Sequence, residues 1–329
     1  MRIAVLGCGS IGRRHLRNLQ AEGRHELLVY DPEPDVAVFL RNVPKLEPSS
    51  TLQAVWKCKP QAVLVTATPE AHLELALMAV RCQAHLFVEK PLSNRLEGLA
   101  ELETLARSSA LVTMVGCNMR FHPGPAAVKA LLRSGAIGAV TAARIQTGSY
   151  LPDWRPSSNF RKSYTADPNR GGGVLLDCIH EIDLALWYFG PATVLAAAIV
   201  PAELLQIPVE GTAEILLHHA SGVLSSINLS FMQRDYRRGC QIVGELGTIY
   251  WDFEQPWVEV RSGSGLERRQ QLPAGWEVNT MYVDEMRHFL QCVERGVATE
   301  CPLEQGVAAL KIALRAREIA ATVAPVHPT

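Results

Sequence analysis

The stretch Arg2-Ile3-Ala4-Val5-Leu6-Gly7-Cys8-Gly9-Ser10-Ile11-Gly12 decides how this chain is read. A short apolar run, strand-like in character, enters a G-x-G-x-x-G turn, and the turn opens an amphipathic segment, 11–20, that reads as a helix. Such a turn is a weak signal by itself and a strong one when a strand precedes it and a helix follows. Gly7 permits the tight turn, Gly9 lets the backbone approach a pyrophosphate, and Gly12 lets helix and strand pack closely. Ser10 and Ile11 begin the helix, whose first N–H groups and partial positive charge suit a phosphate. Asp31 ends the next strand-like run, 24 residues after Gly7. A carboxylate there accepts hydrogen bonds from ribose hydroxyls and repels a 2′-phosphate, so NAD is the expected cofactor and NADP the less favoured one. Arg13 and Arg14 pull in the other direction, since an arginine tolerates that phosphate.

Outward from this turn the pattern repeats. Apolar runs at 2–6, 27–30, 62–66, 85–88 and 111–116 are separated by segments, notably 71–82 and 96–108, with apolar residues three and four apart. Short apolar strands divided by helices predict a parallel sheet covered on both faces, the doubly wound Rossmann layout of α/β proteins. After Phe121 the texture changes. A helix at 125–134 and a strand at 140–146 lead to a long polar, Pro-rich segment, 150–170, and then to Gly171-Gly172-Gly173 and an apolar helix expected over 174–189. From 193 to about 271 strand follows strand with turns between them and no crossover helices, so this second sheet is expected to be large, open and mostly antiparallel, in an α+β domain. Two helices, 281–295 and 303–321, close the chain. The expected domains are 1–121, which binds the dinucleotide, and 122–329, which binds substrate and carries the subunit contact.

Composition bounds the function. The 329 residues suit two domains of ordinary size, and 48% hydrophobic with 20% charged residues is globular composition. A net charge of −1 without a basic stripe argues against a nucleic-acid partner. No apolar run approaches the roughly 18 residues of a membrane span, and 2–6 is too short for the apolar core of a signal peptide, about 7–15 residues. Eight scattered cysteines, none spaced C-x-x-C, suggest neither a zinc ribbon nor a redox pair; reduced thiols, a cytoplasmic location and no metal site are expected. His218-His219 are neighbours in a strand and point to opposite faces, so they are not expected to share a metal. The aromatic group Tyr250, Trp251, Phe253 and Trp257 reads as sheet packing or a subunit contact.

Further motifs fall in a telling order. Thr66-Ala67-Thr68-Pro69 follows the third strand, with His72 just beyond; Glu89-Lys90-Pro91 follows the fourth; Asn118-Met119-Arg120-Phe121 follows the fifth; Gly171-Gly172-Gly173-Val174-Leu175-Leu176-Asp177 leads to His180 and Asp183. Over nearly the whole chain this set resembles the glucose–fructose oxidoreductase / inositol 2-dehydrogenase (Gfo/Idh/MocA) family. The resemblance implies hydride transfer between a nicotinamide cofactor and a sugar or cyclitol. It implies Lys90 at the reacting centre with Asp177 and His180 as an acid/base pair, and cofactor contacts from Thr66, Thr68, Pro69, Glu89 and Asn118. It also implies self-association, as a homodimer or homotetramer, through the second sheet. Members of the family commonly place the aspartate four residues before the histidine; here the gap is three.

The chemistry stands beside the resemblance. Oxidising a secondary alcohol needs a base in hydrogen-bond reach of the hydroxyl, and histidine, with an ordinary pKa near 6.5, serves. On one continuous helix, Asp177 and His180 would share a face, where the carboxylate steadies the imidazolium. A lysine stabilises the developing alkoxide, and Lys90 follows a parallel strand at the carboxyl edge, where such sheets bind ligands. The loop Tyr150-Leu151-Pro152-Asp153-Trp154-Arg155-Pro156, followed by Arg161 and Tyr164, is expected to contact substrate. Tyr150 and Trp154 can face a sugar ring, and Arg155 and Arg161 can grip a carboxylate or phosphate, which suggests an acidic or nucleotide-linked sugar. Two other functions fit the same motifs: a dinucleotide sensor without catalysis, and a lyase or glycosidase that uses NAD transiently.

Overall fold

The computed structural model describes residues 1–33, 36, 46–49, 51–154, 156 and 159–322. They pack as two compact units, one made of 1–118 with 279–307 and the other of 119–278 with 308 onward.

In the first unit, β1 (Arg2–Leu6), β2 (Glu26–Tyr30), β3 (Leu46–Pro48), β4 (Ala62–Val65), β5 (His85–Glu89) and β6 (Thr113–Gly116) form one sheet in the order β3-β2-β1-β4-β5-β6. Every pair in it is parallel. Helices α1 (Ser10–Glu22), α2 (Leu52–Lys57), α3 (Pro69–Arg81) and α4 (Leu99–Ser108) alternate with the strands. Ile3, Ala4, Val5, Leu6, Val63, Leu64, Leu86, Phe87 and Val88 are wholly buried, as expected where helices cover both faces of a parallel sheet. The register pairs Leu6 with Tyr30 and with Val65, Val65 with Val88, and Glu89 with Gly116. The carboxyl ends therefore finish level, and the residues just beyond them share one edge. Strand order reverses at β1 and β4, the switch point where open sheets of this kind bind ligands.

A later stretch of chain completes this unit. Helix α8 (Val278–Arg295) sets Phe289 edge-on to Phe87, with ring centroids 5.7 Å apart. Beyond it, the Val115 N–H donates to the Cys301 carbonyl at 2.8 Å and the Thr299 hydroxyl donates to the Thr113 carbonyl at 2.6 Å. The edge strand β6 is thus covered and does not offer its backbone to another chain.

The second unit holds α5 (Pro123–Arg133), β7 (Val140–Gly148), α6 (Val174–Asp177), α7 (His180–Phe189), β8 (Ala192–Pro201), β9 (Glu210–His219), β10 (Leu224–Ser230), β11 (Arg237–Gly244), β12 (Thr248–Asp252), β13 (Trp257–Ser262) and β14 (Gly265–Gln271). Its eight strands run in the order β14-β13-β12-β11-β7-β10-β9-β8. The pairs are antiparallel except β7 with β10. Along β9 burial alternates: Ala213, Ile215, Leu217 and His219 are buried, while Glu214, Leu216 and His218 are exposed. His218 and His219 do point apart, and His219 is engaged by the Gly190 carbonyl at 2.9 Å and the Ser225 hydroxyl at 2.8 Å. Trp251 is buried on the face that α5 covers. The described residues of segment 150–170 include four short 3₁₀ turns.

One expectation is corrected here. The helix expected over 174–189 is two helices, α6 and α7, with Cys178 and Ile179 between them. The Cys178 N–H still bonds the Val174 carbonyl at 3.0 Å, but its backbone turns to φ −98 and ψ 30. The α-helical pattern resumes with the Asp183 N–H on the Ile179 carbonyl at 2.9 Å. Asp177 ends one helix and His180 begins the next, so their spacing does not place them on one helical face.

Candidate active site

The first unit gathers a dinucleotide cradle. Gly7 lies at φ +98, a conformation costly for a residue with a side chain, and a Cβ there would fall 2.5 Å from the Ala67 Cα. A Cβ at Gly12 would fall 2.0 Å from the Gly7 carbonyl oxygen. Thr66 is buried and its hydroxyl donates to that same oxygen at 2.6 Å, so it stitches β4 to the turn. Gly9 differs from both neighbours. Its φ of −64 and ψ of −165 suit most residues, and a Cβ there would meet nothing within 4 Å. Ser10 is exposed and Ile11 half-buried at the start of α1. Asp31 reaches over the turn: one carboxylate oxygen accepts the Cys8 N–H at 2.5 Å and the other the Glu33 N–H at 2.9 Å. Burial, and then the Asp31 charge, push the Cys8 thiol up to about 12, so it stays protonated.

Beyond β4, Thr68 occupies the N-cap position of α3 with its hydroxyl on Glu70 at 2.8 Å, and Pro69 is buried at the first helical position. His72 is 1% exposed; its Nδ1 lies 2.8 Å from the Pro91 carbonyl and its Nε2 2.9 Å from the Ala67 carbonyl. Burial pushes this imidazole below its ordinary value, against the pull of those carbonyls and of Glu89 and Glu70. A neutral ring donates to one carbonyl and a protonated ring to both. Lys90 follows β5, half-buried. Glu89 turns inward: Oε1 lies 2.7 Å from His15 Nε2, and Oε2 accepts the Lys90 backbone N–H at 3.1 Å. Asn118, 5% exposed, bonds the Tyr282 phenol, whose pKa is raised by burial and next by the Glu89 charge. Its Oδ1 is buried and has no partner among the described residues.

These features fit NAD. Gly9 leaves open space at a helix N-terminus where a phosphate is favoured, Asp31 suits a ribose, and the orphan Asn118 carbonyl oxygen matches the N–H donors of a carboxamide.

The second unit holds the candidate acid/base pair. Gly172 and Gly173 allow a close crossing: a Cβ on Gly172 would lie 2.5 Å from the Thr165 and Tyr164 carbonyls, and one on Gly173, at φ +104, 2.4 Å from the Glu210 carboxylate. The Asp177 N–H then bonds the Gly173 carbonyl at 3.1 Å, and the Tyr164 hydroxyl donates to Asp177 Oδ1 at 2.8 Å. Asp177 and His180 are buried but not sealed, at 6% and 8% exposure. The first turn of α7 is anchored by two ion pairs, the first buried and the second partly so. Arg120 grips Asp183 with Nε and Nη2 at 2.8 and 2.6 Å, and Arg238 grips Glu181 at 2.8 and 3.3 Å. Two carboxylates at a helix N-terminus also complement its dipole.

The expected substrate loop is only partly an open surface. Tyr150 lies beneath the Arg234 guanidinium, 3.6 Å from the ring centroid, and Trp154 stands edge-on to Phe231 with its outer side exposed. Arg161 donates through Nε to the Leu205 carbonyl at 3.1 Å and lies over Phe160. Arg155 lies outside the described residues. Sequence reasoning passed over His15, Arg234, Arg238, Tyr282 and Glu285. The last two stand three apart on a helix remote in sequence, and only the returning chain brings them to β5.

Comparison with known proteins identifies the family. The family described as "Oxidoreductase family, NAD-binding Rossmann fold" matches residues 1–117, and the GFO/IDH/MocA C-terminal domain matches 126–250. The chain is 29% identical over 302 residues to inositol 2-dehydrogenase 2 of Saccharopolyspora erythraea, spanning 88% of this chain and 83% of that protein. It is 26% identical to myo-inositol 2-dehydrogenase of Thermotoga maritima, spanning 97% and 96%. Levoglucosan dehydrogenase in complex with NADH shares the fold, with a TM-score of 0.88 at 20% identity over 98% of this chain and 97% of that one. No helix among the described residues is long and apolar enough to cross a membrane.

Proposed function

Because the chain belongs to the Gfo/Idh/MocA family of NAD-dependent oxidoreductases, we propose that it moves a hydride between NAD and a secondary hydroxyl or carbonyl of a cyclitol- or sugar-like substrate, with Lys90 and His180 serving the same oxygen. The observation that carries this reading is the level carboxyl edge of the first sheet, where Gly9, Asp31, Lys90 and Asn118 follow four of its strands. Gly9 and the start of α1 would hold the pyrophosphate, Asp31 the adenosine ribose, Thr68 and Pro69 the adenosine side, and Asn118 the carboxamide. When bound, NAD supplies the ring carbon that accepts or returns the hydride.

The remaining work falls to the chain's own side chains. His180 takes the proton from the substrate hydroxyl during oxidation and returns it during reduction. Asp177, held by the Tyr164 hydroxyl, is the carboxylate that the family's motif pairs with His180. Lys90 lowers the cost of negative charge on the substrate oxygen. Tyr150 and Trp154 face the sugar. An anionic substituent on that sugar is supported by Arg155 and Arg161 in the loop and by Arg234, whose guanidinium lies over the Tyr150 ring. Self-association through the second sheet belongs to the same reading: Leu216, Leu224 and Tyr250 are exposed on one face of it. A cytoplasmic site of action is also part of it.

The test is absorbance at 340 nm with NAD and a panel of cyclitols, sugars and sugar acids. The relatives named above make inositols the first members to try. NADH formation on at least one of them is expected; tight NADH binding with no turnover anywhere would leave a sensor as the better reading. An Arg155→Ala/Arg161→Ala variant with unchanged preference for carboxylated sugars would remove the anionic substituent.

A further inference from the structure

Lys90 is bracketed. The residue before it and the residue after it each end on a different buried histidine. On the amino side, the Glu89 carboxylate joins the Lys90 backbone N–H at 3.1 Å to His15 Nε2 at 2.7 Å. On the carboxyl side, the Pro91 carbonyl lies 2.8 Å from His72 Nδ1. Both histidines are essentially without solvent exposure.

Each histidine has its other footing in the cofactor cradle. His15 stands on α1, six residues beyond Gly9, on the helix that opens at the phosphate turn. His72 extends Nε2 to the Ala67 carbonyl, and Ala67 is the residue against which Gly7 packs too closely for any side chain. The cluster is costly. His15, Glu89 and Glu285 offer ligand-type atoms within 4.8 Å of one another, all three residues are buried, and Tyr282 stands edge-on to His15. Two buried carboxylates beside one imidazole carry a desolvation penalty that apolar side chains of similar volume would not. Stability alone does not account for them.

We infer that His15 and His72 are positioning residues for Lys90, His15 acting through the Glu89 carboxylate and His72 through the Pro91 carbonyl, so that a dinucleotide which orders the phosphate turn and the Ala67 loop also sets the lysine. This rests on reading Lys90 as the group that stabilises the alkoxide. Glu89, on this view, acts through the lysine and not by touching the cofactor.

The test has a readout apart from turnover. The chain has seven lysines, so reductive methylation with ¹³C-formaldehyde gives few NMR signals, and loss of one in Lys90→Arg assigns Lys90. In the parent chain the Lys90 signal is expected to shift when NADH is added. In His15→Gln and in His72→Gln that shift is expected to vanish while NADH still binds. Their kcat is expected to fall on the order of 10- to 100-fold, the scale of a misplacement of about 1 Å at a reacting group. Glu89→Gln, which keeps the side-chain shape, serves if His15→Gln does not fold, and is expected to lose the shift likewise. A parent-like NADH-induced shift in these variants would overturn the positioning role. Full turnover by Lys90→Ala would instead overturn the reading it rests on, whatever the NMR result.

Discussion

Replacing Gly9 by alanine separates a glycine needed for the fold from a glycine needed for the ligand. In the unliganded chain, a methyl at Gly9 meets nothing within 4 Å and the backbone is in an ordinary region. Gly9→Ala should therefore leave stability within about 0.5 kcal/mol of the parent, or raise it by about 0.4–1 kcal/mol by restricting the unfolded chain. With a pyrophosphate seated against this backbone, the same methyl would overpack the contact by about 1–3 kcal/mol. That is roughly a 5- to 150-fold weaker Kd. Gly7→Ala and Gly12→Ala provide the contrast. The first forces an alanine to φ +98 and 2.5 Å from Ala67, and the second puts a carbon 2.0 Å from the Gly7 carbonyl oxygen. Each should cost about 1–3 kcal/mol without any ligand. The assays are denaturant unfolding with and without NADH, and a fluorescence titration of NADH. At a concentration of 100 Kd the parent gains about 2.7 kcal/mol from the ligand, and a tenfold weaker Kd removes about 1.4 of that. Undiminished NADH affinity in Gly9→Ala, or unfolding as easy as that of Gly12→Ala, would refute the argument.

Three further outcomes follow from the same geometry. His122 caps α5, its Nδ1 accepting the Gly124 N–H at 2.9 Å, and burial, then Arg238, pull its pKa from 6.5 to about 4. As pH falls the unfolded chain takes this proton first, so stability is intact above about 6.5 and lost between there and about 4, by about 3 kcal/mol. His122→Asn keeps a capping oxygen but does not titrate, and unfolding curves across that range should show a shallower loss; equal slopes would count against the cause given. Arg120 and Asp183 are each 1% exposed, so Arg120→Ala should cost about 3–5 kcal/mol in denaturant unfolding. The Arg120→Leu/Asp183→Leu double variant should be more stable than that single one, because it leaves no unpaired buried charge. Asp31→Asn should narrow the preference for NAD over NADP, read as the ratio of the two Kd values; an unchanged ratio would take the discrimination away from Asp31.

Much of the first sheet was legible because its signals are local. A fully buried parallel strand is a continuous apolar run, and a Gly-rich turn announces the strand before it and the helix after it. β14 was legible only as the tail of the strand-rich stretch that runs to about 271, without a boundary of its own: Gly265–Gln271 is exposed along almost its whole length and carries charges where a strand with one buried face alternates. An edge strand needs no apolar face, and charge on it discourages pairing with another chain. The break between Asp177 and His180 was hidden for the opposite reason. The polar residues in the run from Val174 to Phe189, namely Asp177, His180, Glu181 and Asp183, fall three and four apart as they would on one unbroken helix, so no periodicity marks the turn at Cys178, which shows only in its backbone angles. The contacts around Lys90 depend on partners far off in sequence, His15 on α1 and Glu285 on α8, so no spacing rule could reveal them. Glu89 shows the limit most clearly: its motif identified the position, and only the structure shows the carboxylate turned inward to His15.

The central claim is hydride transfer dependent on Lys90 and His180. The most direct measurement uses whichever panel substrate the enzyme oxidises, deuterated at the carbinol carbon, with mass analysis of the NADH formed. Deuterium should appear in NADH once per turnover, and Lys90→Ala and His180→Ala should each slow its appearance on the order of 10²- to 10⁴-fold. Deuterium lost to water with no labelled NADH, or transfer at the parent rate in either variant, would contradict the account.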